Sequence, residues 1–461
     1  MSSPETVSPA VDEERRLALD HLWMPYSAWG DLAGDGGPRV LVRGAGCRVW
    51  DSEGREYLDG IGALEACAVG LGRAEIADAV AGQLRQLSFL DLFRYASRPA
   101  VRLAAKLAEL APGALSRVHL TPGGSEAVEA AIKLARQYHH LGGEGTRRRL
   151  VSRIGAFHGS TFGAMSADGH TLVGRTSLFE PLPNDPRLFR GPYHYRCELC
   201  SHEDACTSEC LSSLRDLVHA DRPETIAAVI VDPAATYIGV SPPPPQYLRD
   251  LRAICDEHGI LLIVDEVITG FGRTGRMFCC EHAGVTPDLM TVSKGLSSGY
   301  LPIGAVVATE AVHERFAAAG EAFAHGQTYG GHPAAAVAAL ESIAIIERER
   351  LVDRAAELGA YLCERLAEVR AHECVGDVRG IGLLAGVELV RDRATRALPD
   401  PPGSLGLRVR RACRDAGLLT LAVYPGDVML FAPALTITHA EIDELVERFG
   451  HALSHVGKEE E

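Results

Sequence analysis

Lysine is scarce in this chain. Of 46 basic residues only four are lysines, Lys106, Lys133, Lys294 and Lys458, so any chemistry that needs a primary amine has four addresses. Long apolar runs are also lacking. The most apolar stretches, such as GILLIVD at 259–265, have strand length and fall far short of the ~18 to 20 residues of a membrane helix, so no membrane partner is expected. Positive charge is in deficit, 46 Lys+Arg against 61 Asp+Glu for a formal charge of −15. That balance lacks the basic footprint needed to bind a phosphate backbone, which argues against nucleic acid and favours small or cationic ligands. The opening segment MSSPETVSPAVDEERRLALD has neither the basic start nor the apolar stretch of a secretory signal. It reads as a mobile tail over 1–20, and the protein as cytoplasmic. Several of the twelve cysteines, Cys67 and Cys255 among them, sit in apolar contexts, as reduced core thiols do.

What is present is an α/β pattern long enough for one large domain or two moderate ones. VLVRGAGCRVWDSEGREYLDG at 40–60 alternates around two turn signals, as a small antiparallel hairpin does. From about 75 to 340, helical periodicity alternates with short apolar runs such as TIAAVIVDP and GILLIVDEV, the signature of βα units around a mostly parallel sheet. From Ile343 a long helical segment leads through two strand-like stretches to a last helix, predicting a smaller α+β domain. The expected division is a tail over 1–20, a segment over 21–74 that joins the small domain, a large domain over 75–343 with a cysteine-rich loop at 193–212, and the small domain over 344–461.

The chemistry concentrates in LLIVDEVITGFGRTGRMFCCEHAGVTPDLMTVSKGLSSGYLPIGA, 261–305. Asp265 ends a buried strand, and the ends of parallel strands are where α/β proteins place functional side chains. Taken alone it would serve equally as a turn or helix cap. Lys294 follows another apolar run and precedes Gly295. A lysine so placed either snorkels to water or, desolvated, is the amine that bonds an aldehyde. Gly123, Gly124 and Ser125 in HLTPGGSEAVEAAIKLARQYH form a helix start at which backbone amides can hold an anion. Anion cradle, carboxylate and amine together are what pyridoxal 5′-phosphate (PLP) requires.

DEVITGFGRTG followed by PDLMTVSKGL resembles the class III, or omega, aminotransferases of fold type I. The similarity runs from HLWMPY near 21 to APALTITHAEID near 432. It implies a large domain with a mostly parallel sheet plus a smaller α+β domain, PLP as cofactor, amine and carbonyl substrates exchanged in two half-reactions, and a homodimer. By the same resemblance Lys294 bonds the cofactor and shuttles the proton, and Asp265 pairs with the ring nitrogen. Val267 packs on one ring face and Phe157 on the other, with His158 and Gly159 beside it. Gly123, Gly124 and Ser125 hold the phosphate, and Thr328 reaches it from the second subunit. His158 fits a cofactor contact or a satisfied core histidine. Asp232 stands where relatives have a longer glutamate, and Arg379 fits a structural or a functional role.

The departures bear on substrate. Leu430 and Val423 stand where relatives place carboxylate-binding arginines, and Tyr424 follows Val423. Glu65 stands near where many amine transaminases have a pocket tryptophan, and fits a pocket wall or a surface or helix-capping role; Tyr26 is a further pocket candidate. A wall carboxylate without an arginine clamp suits cationic or polyhydroxylated substrates, for example an amino sugar or aminocyclitol of an antibiotic pathway; an amine:pyruvate transaminase is the alternative. An aminomutase, epimerase or decarboxylase on the same fold, or a silent dimer using its cysteine-rich loop, are further readings. That loop carries Cys197, Cys200, Cys206 and Cys210, with His194 and His202 nearby. It has the ligand count of structural zinc, or forms a disulfide, or stays unligated.

Overall fold

The computed structural model describes residues 9–34, 36–169, 178–183, 187–200, 206–423 and 427–457. At its centre is a seven-stranded sheet in the order 115–121, 304–309, 289–292, 261–265, 226–231, 149–153, 187–189. Gly304–Thr309 runs antiparallel to both of its neighbours and every other pairing is parallel, in keeping with the mostly parallel sheet predicted. The central strands are buried along their whole length, because helices cover both faces. Leu261 and Ile263 pack on one face with the helix Gly124–Leu141, while Leu262 and Val264 join the main core on the other.

A four-stranded antiparallel sheet in the order 375–380, 385–389, 428–431, 421–423 belongs to the C-terminal part. The early strands 41–45, 48–51 and 56–59 make an antiparallel meander whose last member pairs in parallel with Leu418–Leu419. The N-terminal segment is thereby attached to the C-terminal one. Among the described residues no helix is long and apolar enough to cross a membrane.

Two expectations are corrected. The long helical segment from Ile343 is two helices, Pro333–Arg348 and Leu351–Ala367, separated where Arg350 adopts a φ of +52°, which a right-handed helix cannot accommodate. The segment read as a mobile tail contains the helix Pro9–His21. Arg15 on it bonds Glu53 at 3.2 Å and the carbonyl of Gly37 at 3.1 Å, which ties it to the meander; residues 1–8 lie outside the described residues.

Candidate active site

Five parallel strands deliver the site at their carboxyl ends. Leu261–Asp265 ends on Asp265, Leu289–Val292 is followed by Lys294, Leu115–Thr121 by Gly123 and Gly124, Arg149–Arg153 by Phe157 and His158, and Ile226–Val231 by Asp232. Together with Ser125, Gly159, Thr236 and Val267, most of these residues line one cavity of about 160 Å3. Such a crevice at the carboxyl edge is where open α/β sheets bind ligands.

Asp265 is held from three sides. Thr291 Oγ1 donates to its Oδ1 at 2.9 Å, the Val267 N–H donates to the same oxygen at 3.1 Å, and His158 Nδ1 lies 2.8 Å from Oδ2. Burial by itself would push the His158 imidazole down, but the adjoining Asp265 carboxylate outweighs it and raises the ring's pKa. His158 therefore acts on Asp265, and its Nε2 is buried without a partner among the described residues. Asp168, which accepts the His158 backbone N–H, is pushed up to about 8 by burial. Asp232 pairs with the fully buried Arg153 and accepts the Thr236 N–H at 3.2 Å. Phe157 leans on Tyr237 with ring centroids 4.7 Å apart.

Gly123 caps the eighteen-residue helix Gly124–Leu141 in extended conformation, and the helix points its positive end into the cavity. The space there is reserved: a Cβ on Gly124 would stand 3.0 Å from Val267 Cγ1, and one on Gly159, at φ +139°, 2.6 Å from Ser125 Oγ. Ser125 Oγ accepts the Ser160 N–H at 3.1 Å. Gly159→Ala is expected to weaken cofactor affinity about tenfold and to cost ~1 to 3 kcal/mol of stability. Titration of the stripped protein with PLP, together with a thermal melt, checks this.

Glu65 arrives by an unusual backbone. Gly62, Ala63, Leu64 and Glu65 have φ of +53°, +48°, +65° and +58°, a left-handed turn costing roughly 1 to 2 kcal/mol for each residue other than glycine. Asp59 supports it by accepting the N–H groups of Ile61 at 3.2 Å and Ala63 at 2.8 Å. Gly62 is required, because a Cβ there would lie 2.5 Å from the Ala432 carbonyl oxygen. The turn places Glu65 Oε2 2.7 Å from Lys294 Nζ.

Other candidates lie outside the cavity. Val423 and Leu430 are buried in an apolar cluster beneath it, against Ile61, Tyr237 and Ile268, and Tyr424 falls outside the described residues. Tyr26 is exposed, with its hydroxyl 3.2 Å from Ser160 Oγ. Thr328 is exposed and does not line the cavity of its own chain. Arg379 is structural: its guanidinium is spent on Asp377, Glu388, the Tyr193 hydroxyl and the carbonyls of Gly239 and Val240.

The zinc expectation finds no support. Cys200 Sγ lies 3.8 Å from His194 Nδ1, but among the described residues no three His, Cys, Asp or Glu side chains are arranged to hold a metal. Cys197, Cys200, Cys206 and Cys210 are free thiols. Burial pushes Cys200 and Cys210 up to about 12. His202 lies outside the described residues.

Thr291, Asp168 and Tyr237 escape a reading of the sequence. Only Thr291 leaves a signal, as a polar residue inside the buried strand LMTV.

The fold and the grouping of lysine, strand-end carboxylate and glycine-rich helix start define a PLP-dependent transferase of fold type I. Residues 33–453 match the family described as aminotransferase class-III, and the chain belongs to that family. It is 39% identical over 443 residues to a probable aminotransferase of Mycobacterium tuberculosis, covering 95% of this chain and 94% of the relative. The putrescine–pyruvate aminotransferase of Pseudomonas aeruginosa is 36% identical over 436 residues, with 94% of each covered. Among solved structures, an (S)-enantioselective omega-transaminase from Thermomicrobium roseum superposes with a TM-score of 0.92 at 40% identity, covering 98% of this chain and 100% of that one. The cofactor of the family is PLP, and the orphaned His158 Nε2, the paired Asp265 and the space kept by Gly124 and Gly159 fit it.

Proposed function

We propose that this aminotransferase takes amine donors without a carboxylate beside the reacting nitrogen, and that it works as a homodimer. The observation that carries the reading is the cavity lining. Among the described residues it holds one amine and two carboxylates and no arginine, while Val423 and Leu430 are packed away and Arg379 is committed elsewhere. Both carboxylates are already paired, Asp232 with Arg153 and Asp265 with His158, and a lining without arginine gives a donor carboxylate no bidentate partner. The relative named for putrescine and pyruvate points the same way. Amino sugars and aminocyclitols share this chemistry, but none of the relatives named above bears such a name.

When bound, the cofactor supplies an aldehyde carbon and a ring that accepts the electron pair left on the substrate carbon. Lys294 would bond that aldehyde, leave it to the donor, and carry the proton off the substrate carbon on Nζ. Asp265 would keep a proton on the ring nitrogen, with His158 and Thr291 fixing its orientation. The amides at Gly124 and Ser125 would bind the phosphate, and Phe157 and Val267 would hold the ring between them.

Thr328 is exposed between Tyr329, at 63% exposure, and Gln327, which shares a groove with the 67% exposed Phe93, an apolar surface of the kind that marks an interface. That supports its reaching the phosphate of a second copy. The test is a donor panel with pyruvate as acceptor. Putrescine and simple primary amines are expected to exceed the α-amino acids glutamate and alanine at least tenfold in kcat/KM, with one carbonyl product per donor consumed and sedimentation as a dimer. A preference for glutamate, or product without stoichiometric carbonyl formation, overturns the reading.

A further inference from the structure

The left-handed turn brings one carboxylate to the reacting nitrogen. The Glu65 side chain has no solvent exposure, its Oε2 lies 2.7 Å from Lys294 Nζ, and its Oε1 has no hydrogen-bond partner among the described residues. Lys294 lines the cavity and Glu65 stands behind it. The other charged or titratable groups facing Glu65 are the Arg273 guanidinium and the Tyr237 phenol. Arg273 spends its hydrogen bonds on the carbonyls of Cys67, Leu383 and Pro433, and Tyr237 is pushed up by burial, so it stays neutral. The amine of Lys294 is therefore the only cation bonded to this carboxylate among the described residues.

An ion pair of this kind has a consequence for a lysine that must leave it. While Lys294 is bonded to the cofactor aldehyde its nitrogen is a cation only when protonated, and loss of that proton leaves the buried carboxylate without a bonded cation, which is costly. A second primary ammonium entering the cavity restores the pairing.

We propose that Glu65 is the residue that receives the donor: it pairs with the Lys294 nitrogen while that nitrogen is protonated, and with the donor's alkylammonium once the Lys294 nitrogen, bonded to the cofactor, is neutral. In the second state one N–H bond of the donor breaks, its electron pair stays on nitrogen, and the proton forms an O–H bond on Glu65. The donor is then the neutral nucleophile that the aldehyde carbon requires. This rests on the assignment of Lys294 above, and it specifies the donor as a primary ammonium recognised at its reacting end.

The experiment uses the holoenzyme with putrescine and no acceptor, following loss of the cofactor's visible band in a single turnover between about pH 7 and pH 10. The native rate constant is expected to change little with pH, because Glu65 accepts the proton. In Glu65→Gln the rate should follow the free-amine fraction and fall about tenfold for each pH unit below the donor's pKa. Formate should restore the rate in Glu65→Gly, and Glu65→Asp should keep the native profile. Independently of turnover, the pH midpoint of the visible band in resting Glu65→Gln holoenzyme should drop by about one unit or more, since its protonated nitrogen loses a counter-charge.

A native pH profile in Glu65→Gln, or an unmoved midpoint, overturns the proposal. So does loss of the band in Glu65→Asp and Glu65→Gln alike, which would make Glu65 a residue of shape. Failure of the Lys294 assignment looks different, since Lys294→Ala would then keep the visible band.

Discussion

Lys294→Ala is expected to give a protein without the visible absorbance of lysine-bound cofactor and with turnover reduced at least ~10^3-fold. The size of the effect follows from position. No other described lysine approaches the cavity: Lys106 pairs with Glu109 and Glu347 on the outer surface, and Lys133 Nζ stands 3.3 Å from His325 Nδ1. The truncation also strands Glu65, whose side chain is fully buried. Breaking a buried pair costs roughly 3 to 5 kcal/mol, and less here because Lys294 is itself 20% exposed. Adding Glu65→Gln should therefore recover part of the lost thermal stability in Lys294→Ala while recovering no activity. Absorbance spectra, a steady-state assay and thermal melts of both variants decide it, and full activity in Lys294→Ala would refute the assignment.

Asp265→Asn should lower kcat by about 10^2 to 10^4 while leaving the cofactor bound and coloured. Asparagine has the same shape and can keep the Thr291 and Val267 contacts to one oxygen, made at 2.9 and 3.1 Å in the native protein. What it removes is charge. The carboxylate, 5% exposed, holds the His158 ring raised and would hold a proton on the ring nitrogen of the cofactor; an amide does neither. The loss should fall on kcat more than on KM, since the group acts on charge that develops during reaction. A variant retaining more than about a tenth of native kcat would remove Asp265 from this role.

Much of the site can be read locally. Four lysines leave few candidates, and only Lys294 sits between a buried strand and a glycine. Asp265 ends a run whose apolar length marks a doubly covered strand, and two glycines before a helix announce an anion cradle. The departures at Val423 and Leu430 show only against the family pattern, and their burial in an apolar cluster does not show in the sequence at all. Other features leave no local trace. The cysteine spacing resembles a metal site, yet free thiols, two of them buried, satisfy the same spacing. The helical period after Ile343 runs through Arg350 without a break, because a single left-handed residue hardly disturbs the pattern of apolar positions.

Glu65 shows the boundary between the two kinds of knowledge. By itself the sequence determined the βα alternation, the strand-end carboxylate and the one lysine with a chemical address, because burial period and residue chemistry are local properties; an acid near the pocket was implied only by the family resemblance. Only the tertiary structure decided that this acid bonds that lysine, 229 residues away. The contact depends on three consecutive non-glycine residues in left-handed conformation, supported by Asp59 and crowded by the Ala432 carbonyl. Such a conformation is disfavoured for each residue alone and is stable only when distant parts of the chain close around it.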